Sequence, residues 1–114
     1  MRYLLLLHVE ESGWERMSAA EQTSALAAYG AFSEALSSRG ALVAAGRLAG
    51  AASAGAVRTK GGKTVVMDGP YAETKEQVGG FYLIEAANRA AALDWAARCP
   101  AAGHGTVEVR EVMG

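Results

Sequence analysis

The sequence is poor in the residues that hold small secreted proteins and metal centres together. It has 114 residues with a single cysteine, Cys99, and only two prolines. One cysteine excludes an intrachain disulfide and is typical of a reducing compartment. The two histidines, His8 and His104, have no ligand spacing relative to each other or to that cysteine. The sequence therefore predicts no metal site, and we expect no cofactor.

Long apolar runs and a large excess of either charge are also absent. The run Leu4 to Leu7 is far too short to cross a bilayer, and Glu10 and Glu11 follow it where a secretory signal would have small residues. With 20% charged residues and a net charge of -1, the chain lacks the basic surface of a nucleic-acid-binding protein. We therefore expect a cytoplasmic protein that binds neither membranes nor nucleic acid.

Nucleotide-binding and hydrolase motifs are missing as well. No Gly-x-Gly-x-x-Gly follows a predicted strand, no Walker-type loop precedes a helix, and no Gly-x-Ser-x-Gly elbow occurs. What the chain does have is 51% hydrophobic residues. A chain of this length buries roughly two thirds of the surface that its unfolded form exposes. We expect one domain over residues 1–114.

The spacing of apolar residues, together with capping residues, glycines and prolines, predicts two helices and six strands. Ser18 and Glu21 form a capping box, and Gly40 is placed to end the helix that they begin. Asn88 and Pro100 bound the second helix in the same way. The predicted helices cover residues 19–38 and 89–99, and the predicted strands cover 2–9, 41–48, 57–59, 64–67, 81–85 and 106–112. Residues 10–17 read as a polar connection, in which Trp14 either packs over the core edge or offers a platform for a ligand.

The first predicted strand is apolar on both faces. Tyr3, Leu5 and Leu7 alternate with Leu4, Leu6 and His8. The helices of a small single-sheet domain cover only one face, so the other is left for a second subunit. We therefore expect a homodimer. The first helix has one apolar stripe, which we expect to face the core: Ala25, Leu26, Tyr29, Phe32 and Leu36.

The order of the elements predicts the fold class. Strand, helix, strand, hairpin, strand, helix, strand is the order of a ferredoxin-like α+β domain with an added β-hairpin. The hairpin is predicted from Gly61-Gly62 and from the β-branched residues on both sides of it.

The signature segment, residues 67–85, is the most distinctive part of the chain. Asp68-Gly69-Pro70 predicts a chain reversal, and charged residues follow at once. Gly79-Gly80 then precedes the apolar run 81–84, and the pair predicts either a bulge or a close approach of a ligand to the backbone, with the bulge favoured.

The signature segment resembles that of the YCII-related family, also called the DGPF-domain family. The fourth position of the DGPF element is Tyr71 here, which keeps the aromatic ring. The resemblance continues through residues 73–76, 79–85, 97–100 and 107–110, and includes the opening residues 2–6. It implies that two domains pair into a dimeric α/β barrel. It also implies acid-base chemistry in some members and, in others encoded beside extracytoplasmic-function sigma factors, a regulatory role.

Two hypotheses follow for the function. In the first, His8 and Asp68 are catalytic residues that act as an acid-base pair on a small organic molecule in a pocket of the barrel. In the second, the protein is a non-catalytic ligand-binding or regulatory module. In either case the candidate ligand-binding residues belong to the signature segment: Tyr71, Glu73, Lys75 and Glu76. The alternatives are that Asp68 only stabilises its turn, that the charged residues form a solvated face, and that His8 is structural.

Overall fold

The computed structural model describes residues 1–114 and contains three helices and six strands. The helices are α1 (Glu11–Glu15), α2 (Ala19–Ser38) and α3 (Arg89–Arg98). The strands are β1 (Arg2–Val9), β2 (Leu42–Arg47), β3 (Gly55–Lys60), β4 (Lys63–Asp68), β5 (Gln77–Glu85) and β6 (Thr106–Glu111). No helix is both long enough and apolar enough to cross a membrane.

Four strands form the main sheet in the order β2-β5-β1-β6, and every neighbouring pair is antiparallel. The remaining two, β3 and β4, form a separate antiparallel hairpin. The predicted α+β class is confirmed by these antiparallel sheets and the helices that accompany them.

The ends of the long helices follow the predicted capping chemistry. The Ser18 side chain accepts a hydrogen bond from the Glu21 backbone at 3.1 Å, and the Glu21 carboxylate accepts one from the Ser18 backbone at 3.0 Å. This box satisfies two free amides at the start of α2. Gly40 follows the last turn with a φ of +67°, a left-handed conformation that suits glycine. Asn88 caps α3 by accepting from the Ala91 amide at 2.9 Å.

One face of the sheet packs against α2 and α3. Leu5, Leu36 and Ile84 are completely enclosed and join the sheet to α2. The ring of Phe32 meets Tyr82 edge to face, with centroids 5.0 Å apart. The side of α3 that faces the sheet is apolar: Ala92 and Ala96 are buried together with Cys99, and Trp95 packs against them.

The opposite face of the sheet has no helical cover. Register places Leu6 opposite Phe81 and Leu4 opposite Leu83 on this face. All four side chains are half-buried and lie outside the core cluster. We call this the open face.

The hairpin projects from the body of the molecule. Val57 and Val66 face each other across it and are each 67% exposed. Gly61 and Gly62 have φ values of +58° and +75°, which fit the two-residue turn. The radius of gyration is 15.9 Å, whereas a compact chain of this size has about 13 Å. Only 13 of 114 residues are buried, so much apolar surface remains uncovered.

The structure departs from the sequence predictions in three places. Residues 11–15 form the short helix α1 instead of an irregular connection. Strand β5 begins at Gln77 instead of residue 81, so that Gly79-Gly80 lies within the strand and not before it. The predicted core stripe of α2 is wrong at its N-terminal end, since Leu26 is 51% exposed. There α2 stands away from the sheet, and a cavity lies beneath it.

Candidate functional site

The Asp-Gly-Pro element forms the exit from β4. Asp68 is the last residue of β4, and Gly69 turns the chain with a φ of +103° while its amide bonds to the Ala54 carbonyl at 2.7 Å. Asp68 is exposed, and its carboxylate takes part in no hydrogen bond or ion pair within the chain. The turn is therefore ordered by its backbone, and the Asp68 carboxylate is free in solvent.

The rest of the signature segment runs toward the ends of β1 and β6. Lys75 Nζ lies 3.9 Å from Glu10 Oε2, next to the end of β1. Glu76 Oε1 accepts a hydrogen bond from Thr106 Oγ1 at 3.1 Å, at the start of β6. Tyr71 and Glu73 are exposed, and neither side chain contacts a polar partner. The structure thus connects Lys75 and Glu76 to the main sheet and leaves Tyr71 and Glu73 in solvent.

His8 lies on the open face and is bonded to Glu108. Its Nε2 is 2.9 Å from Glu108 Oε1, and both side chains are partly exposed. This hydrogen bond holds the pKa of the Glu108 carboxyl below its usual range. When the neutral ring donates from Nε2, its Nδ1 is left as an acceptor. The partner that the structure gives His8 is Glu108, and no contact joins His8 to Asp68.

A cavity lies on the other face of the sheet, beneath α1 and the first half of α2. Its volume is about 520 Å³, which is within the usual range for small-molecule sites. The walls are mainly apolar and aromatic, and they include Leu7, Val9, Trp14, Met17, Leu26, Tyr29 and Tyr82. His8 and Asp68 do not line it.

Charged groups around this cavity differ in whether they have a hydrogen-bond or ion-pair partner. Glu10 lies 3.8 Å from Arg16 and also accepts from Ser12 at 3.0 Å. Glu11 accepts a hydrogen bond from the Ala51 amide at 2.6 Å, which fixes the loop after β2. Arg47 has no carboxylate partner, and its guanidinium lies over the Trp14 ring, 4.8 Å from the centroid.

A tyrosine-histidine pair completes the lining. The Tyr29 hydroxyl is 3.5 Å from His104 Nε2, and both residues face the cavity. Burial raises the pKa of Tyr29 to about 12, and charges on Cys99 and Tyr82 act in the same direction. The phenol is therefore protonated throughout the neutral range and acts as a hydrogen-bond donor.

The glycine pair forms a bulge at the cavity floor. Leu7 pairs with Gly80 and His8 with Val78, so Gly79 is the extra residue of β5. A Cβ at Gly79 would lie 2.8 Å from the Val9 side chain, and one at Gly80 would lie 3.0 Å from the Gly46 carbonyl. The bulge that we favoured from sequence is confirmed, and both glycines also line the cavity.

The cavity residues were the ones that sequence reasoning missed. The sequence indicated only Trp14, as a platform for a ligand, and Gly79-Gly80, as a place where a ligand approaches the backbone. Arg47 gave no local signal, because its importance comes from meeting Trp14 across the fold. The exposed apolar half of α2, including Leu26, was the one pattern that could have indicated a cavity instead of core packing.

Comparison with known proteins assigns the chain to a family. An uncharacterized protein of Rhizobium meliloti (strain 1021), named R00369, is 38% identical over 96 residues, which cover 84% of this chain and 77% of that protein. The sequence model of one family, described as the YCII-related domain, matches residues 1–114. The chain therefore belongs to the YCII-related domain family.

Proposed function

We propose that this protein is a homodimeric small-molecule-binding protein whose ligand occupies the cavity beneath α1 and α2. The observation that carries the proposal is the cavity itself: about 520 Å³, lined mostly by apolar and aromatic side chains with a few polar groups. Such a combination is the usual form of a ligand site. A helix half that stands over empty space, as α2 does at Leu26, loses packing that a bound ligand would restore.

A cavity-filling variant tests this proposal. Ala25 of α2 lines the cavity, whereas Ala27 of the same helix is exposed and does not. In a thermal-shift screen of small organic molecules, compounds that stabilise the parent should stabilise Ala27→Phe equally and Ala25→Phe much less. Binding that survives unchanged in Ala25→Phe would place the ligand elsewhere and overturn the proposal, as would a screen without any binder.

The homodimer is supported by what the single chain leaves uncovered. Leu4, Leu6, Phe81 and Leu83 of the open face have no layer over them, and the hairpin valines are in solvent. The strand order and the two helices on one face support a ferredoxin-like domain, in which two open faces meet as a dimeric barrel. Sedimentation should give twice 11.8 kDa at micromolar concentration; a mass of one chain would contradict both the dimer and the barrel.

A second candidate function is acid-base catalysis on the open face, favoured by the His8–Glu108 hydrogen bond. A carboxylate that orients one ring nitrogen leaves the other positioned as a base. Asp68 would act with His8 only if the closed dimer brings the two together. No contact or charge pattern in the chain favours the sigma-factor-linked regulatory role, which stays a prediction of the resemblance.

Deuterium incorporation distinguishes catalysis from binding alone. Candidate carbonyl compounds are incubated with the protein in D₂O, and exchange at carbon is followed by NMR. The parent should catalyse exchange, and His8→Gln should lower the rate by about a hundredfold or more. Asp68→Asn keeps the local backbone preferences of the turn. A loss of exchange rate in Asp68→Asn would therefore assign the Asp68 carboxylate to the site. Equal rates in the parent and His8→Gln would remove this candidate.

A further inference from the structure

Among the charged residues that line the cavity, Arg47 has no ion-pair or hydrogen-bond partner. It ends β2 at the rim of the cavity, and its guanidinium is stacked on Trp14. The other charged groups of the lining are engaged: Arg16 with Glu10, and Glu11 with the Ala51 amide. None of the guanidinium N–H groups of Arg47 donates to a protein acceptor.

Stacking prepares Arg47 to bind a planar anion. A guanidinium that lies over an aromatic ring keeps N–H groups free at its edge, and these groups suit two parallel hydrogen bonds to one carboxylate. The stack also restricts the rotamers of a long side chain before a ligand arrives, so less entropy is lost on binding.

The remainder of the cavity fits an apolar, flat body. Leu7, Val9 and Met17 provide aliphatic surface, and Tyr29 and Tyr82 provide aromatic surface. Gly79 and Gly80 add no side chains of their own to the floor, where the Val9 side chain packs closely over Gly79. The Tyr29 hydroxyl, paired with His104, offers a neutral hydrogen-bonding group for a polar substituent.

We propose that the ligand is an aromatic monocarboxylate, with its carboxylate bound by Arg47 beside Trp14 and its ring system held between α2 and the floor of the cavity. This inference rests on the proposed binding function and names the chemical class of its ligand. The aromatic body contributes through burial of apolar area, and the anionic end contributes orientation and specificity.

Calorimetric titration with three matched probes tests the inference: naphthoate, its neutral amide and the corresponding amine. The parent should bind naphthoate most tightly and the amine least. Arg47→Met keeps the length of the side chain and should weaken naphthoate by about tenfold or more, since it removes charge-assisted hydrogen bonds. Arg47→Lys keeps the charge but lacks the two parallel N–H donors of the guanidinium. Its affinity for naphthoate should lie between those of the parent and Arg47→Met. Arg58→Met, on the exposed hairpin strand β3, is the matched control and should bind like the parent.

The outcomes separate the ligand class from the binding function. If naphthoate and its amide bind the parent equally and Arg47→Met changes neither, the ligand is not an anion held by Arg47, although the cavity still binds small molecules. If the amine binds best, the assigned charge is wrong. If none of the three binds while the thermal-shift screen yields other ligands blocked by Ala25→Phe, the inference fails and the proposed function stands. If the thermal-shift screen also yields no ligand, both the inference and the proposed function are overturned.

Discussion

Leu36 and Leu26 lie on the same helix, but only Leu36 is enclosed. Leu36 is 0% exposed and packs in the core, whereas Leu26 is 51% exposed above the cavity. Leu36→Ala should lower the free energy of unfolding by about 2–5 kcal/mol, because it removes buried methyl groups and leaves a void. Leu26→Ala should change it by no more than about 0.5 kcal/mol. Urea denaturation measures both, and equal losses would contradict the assignment of the cavity.

Tyr29 makes stability depend on pH on the alkaline side. Its folded pKa of about 12 lies above the ordinary tyrosine pKa of about 10 because burial disfavours the phenolate. The unfolded chain therefore releases this proton at lower pH than the folded chain does. The stability associated with the neutral phenol is complete below pH 10 and is lost as pH rises from 10 to 12.

A comparison with Tyr29→Phe isolates this effect from the other tyrosines. The melting temperature of the parent should fall more steeply than that of the variant above pH 10, and the difference between the two should be constant at lower pH. Parallel curves through the alkaline range would show that Tyr29 titrates normally.

The capping box fixes where α2 begins, and with it the position of the cavity roof. Ser18→Ala removes the acceptor for the Glu21 amide, so the free energy of unfolding should fall by about 1 kcal/mol. Ser18→Asp supplies another good cap and should stay close to the parent. Circular dichroism melts of the two variants test the difference; similar melts for Ser18→Ala and the parent would mean that the box contributes little.

The elements that carry local chemistry were predictable, and those that depend on tertiary contacts were not. The capping box predicted the start of α2, Gly40 predicted its end, and Gly61-Gly62 predicted the hairpin turn. The short helix α1 has only five residues with Gly13 among them, and its position is fixed by Glu11 bonding to Ala51 forty residues away. No local pattern encodes such a contact.

The residues of the candidate site differ in the same way: some have a local sequence signal, and others depend on tertiary contacts. Sequence reasoning selected His8 and the signature segment. In the structure His8 is bonded to Glu108, whereas the side chains of Asp68, Tyr71 and Glu73 have no polar partner. Sequence reasoning could not select Arg47 and Trp14 as a pair, because their stacking requires β2 and α1 to meet at one end of the sheet. The two apolar faces of β1 predicted that one face lacks helical cover, but they could not predict a cavity on the covered face.

At the scale of the whole molecule, the hairpin should govern association. Val66 is 67% exposed on β4, and Val66→Lys would bury a charge if the hairpin lies in the proposed interface. The variant should sediment as a single chain at concentrations where the parent is dimeric. Leu93→Lys, a similar exchange on the outer side of α3, is the control and should stay dimeric. A dimeric Val66→Lys would exclude the hairpin from the interface.

The strand order has a consequence for amide hydrogen exchange. Strands β1 and β5 each have a neighbour on both sides, whereas β2 and β6 have one, and β3 and β4 pair only with each other. Amides of β1 and β5 should therefore exchange most slowly, through global unfolding, while those of the hairpin exchange through local opening. We therefore expect β1 and β5 to open together, as one cooperative unit at the centre of the main sheet. Amide hydrogen exchange rates should then rank the strands by their distance from the β1–β5 pair.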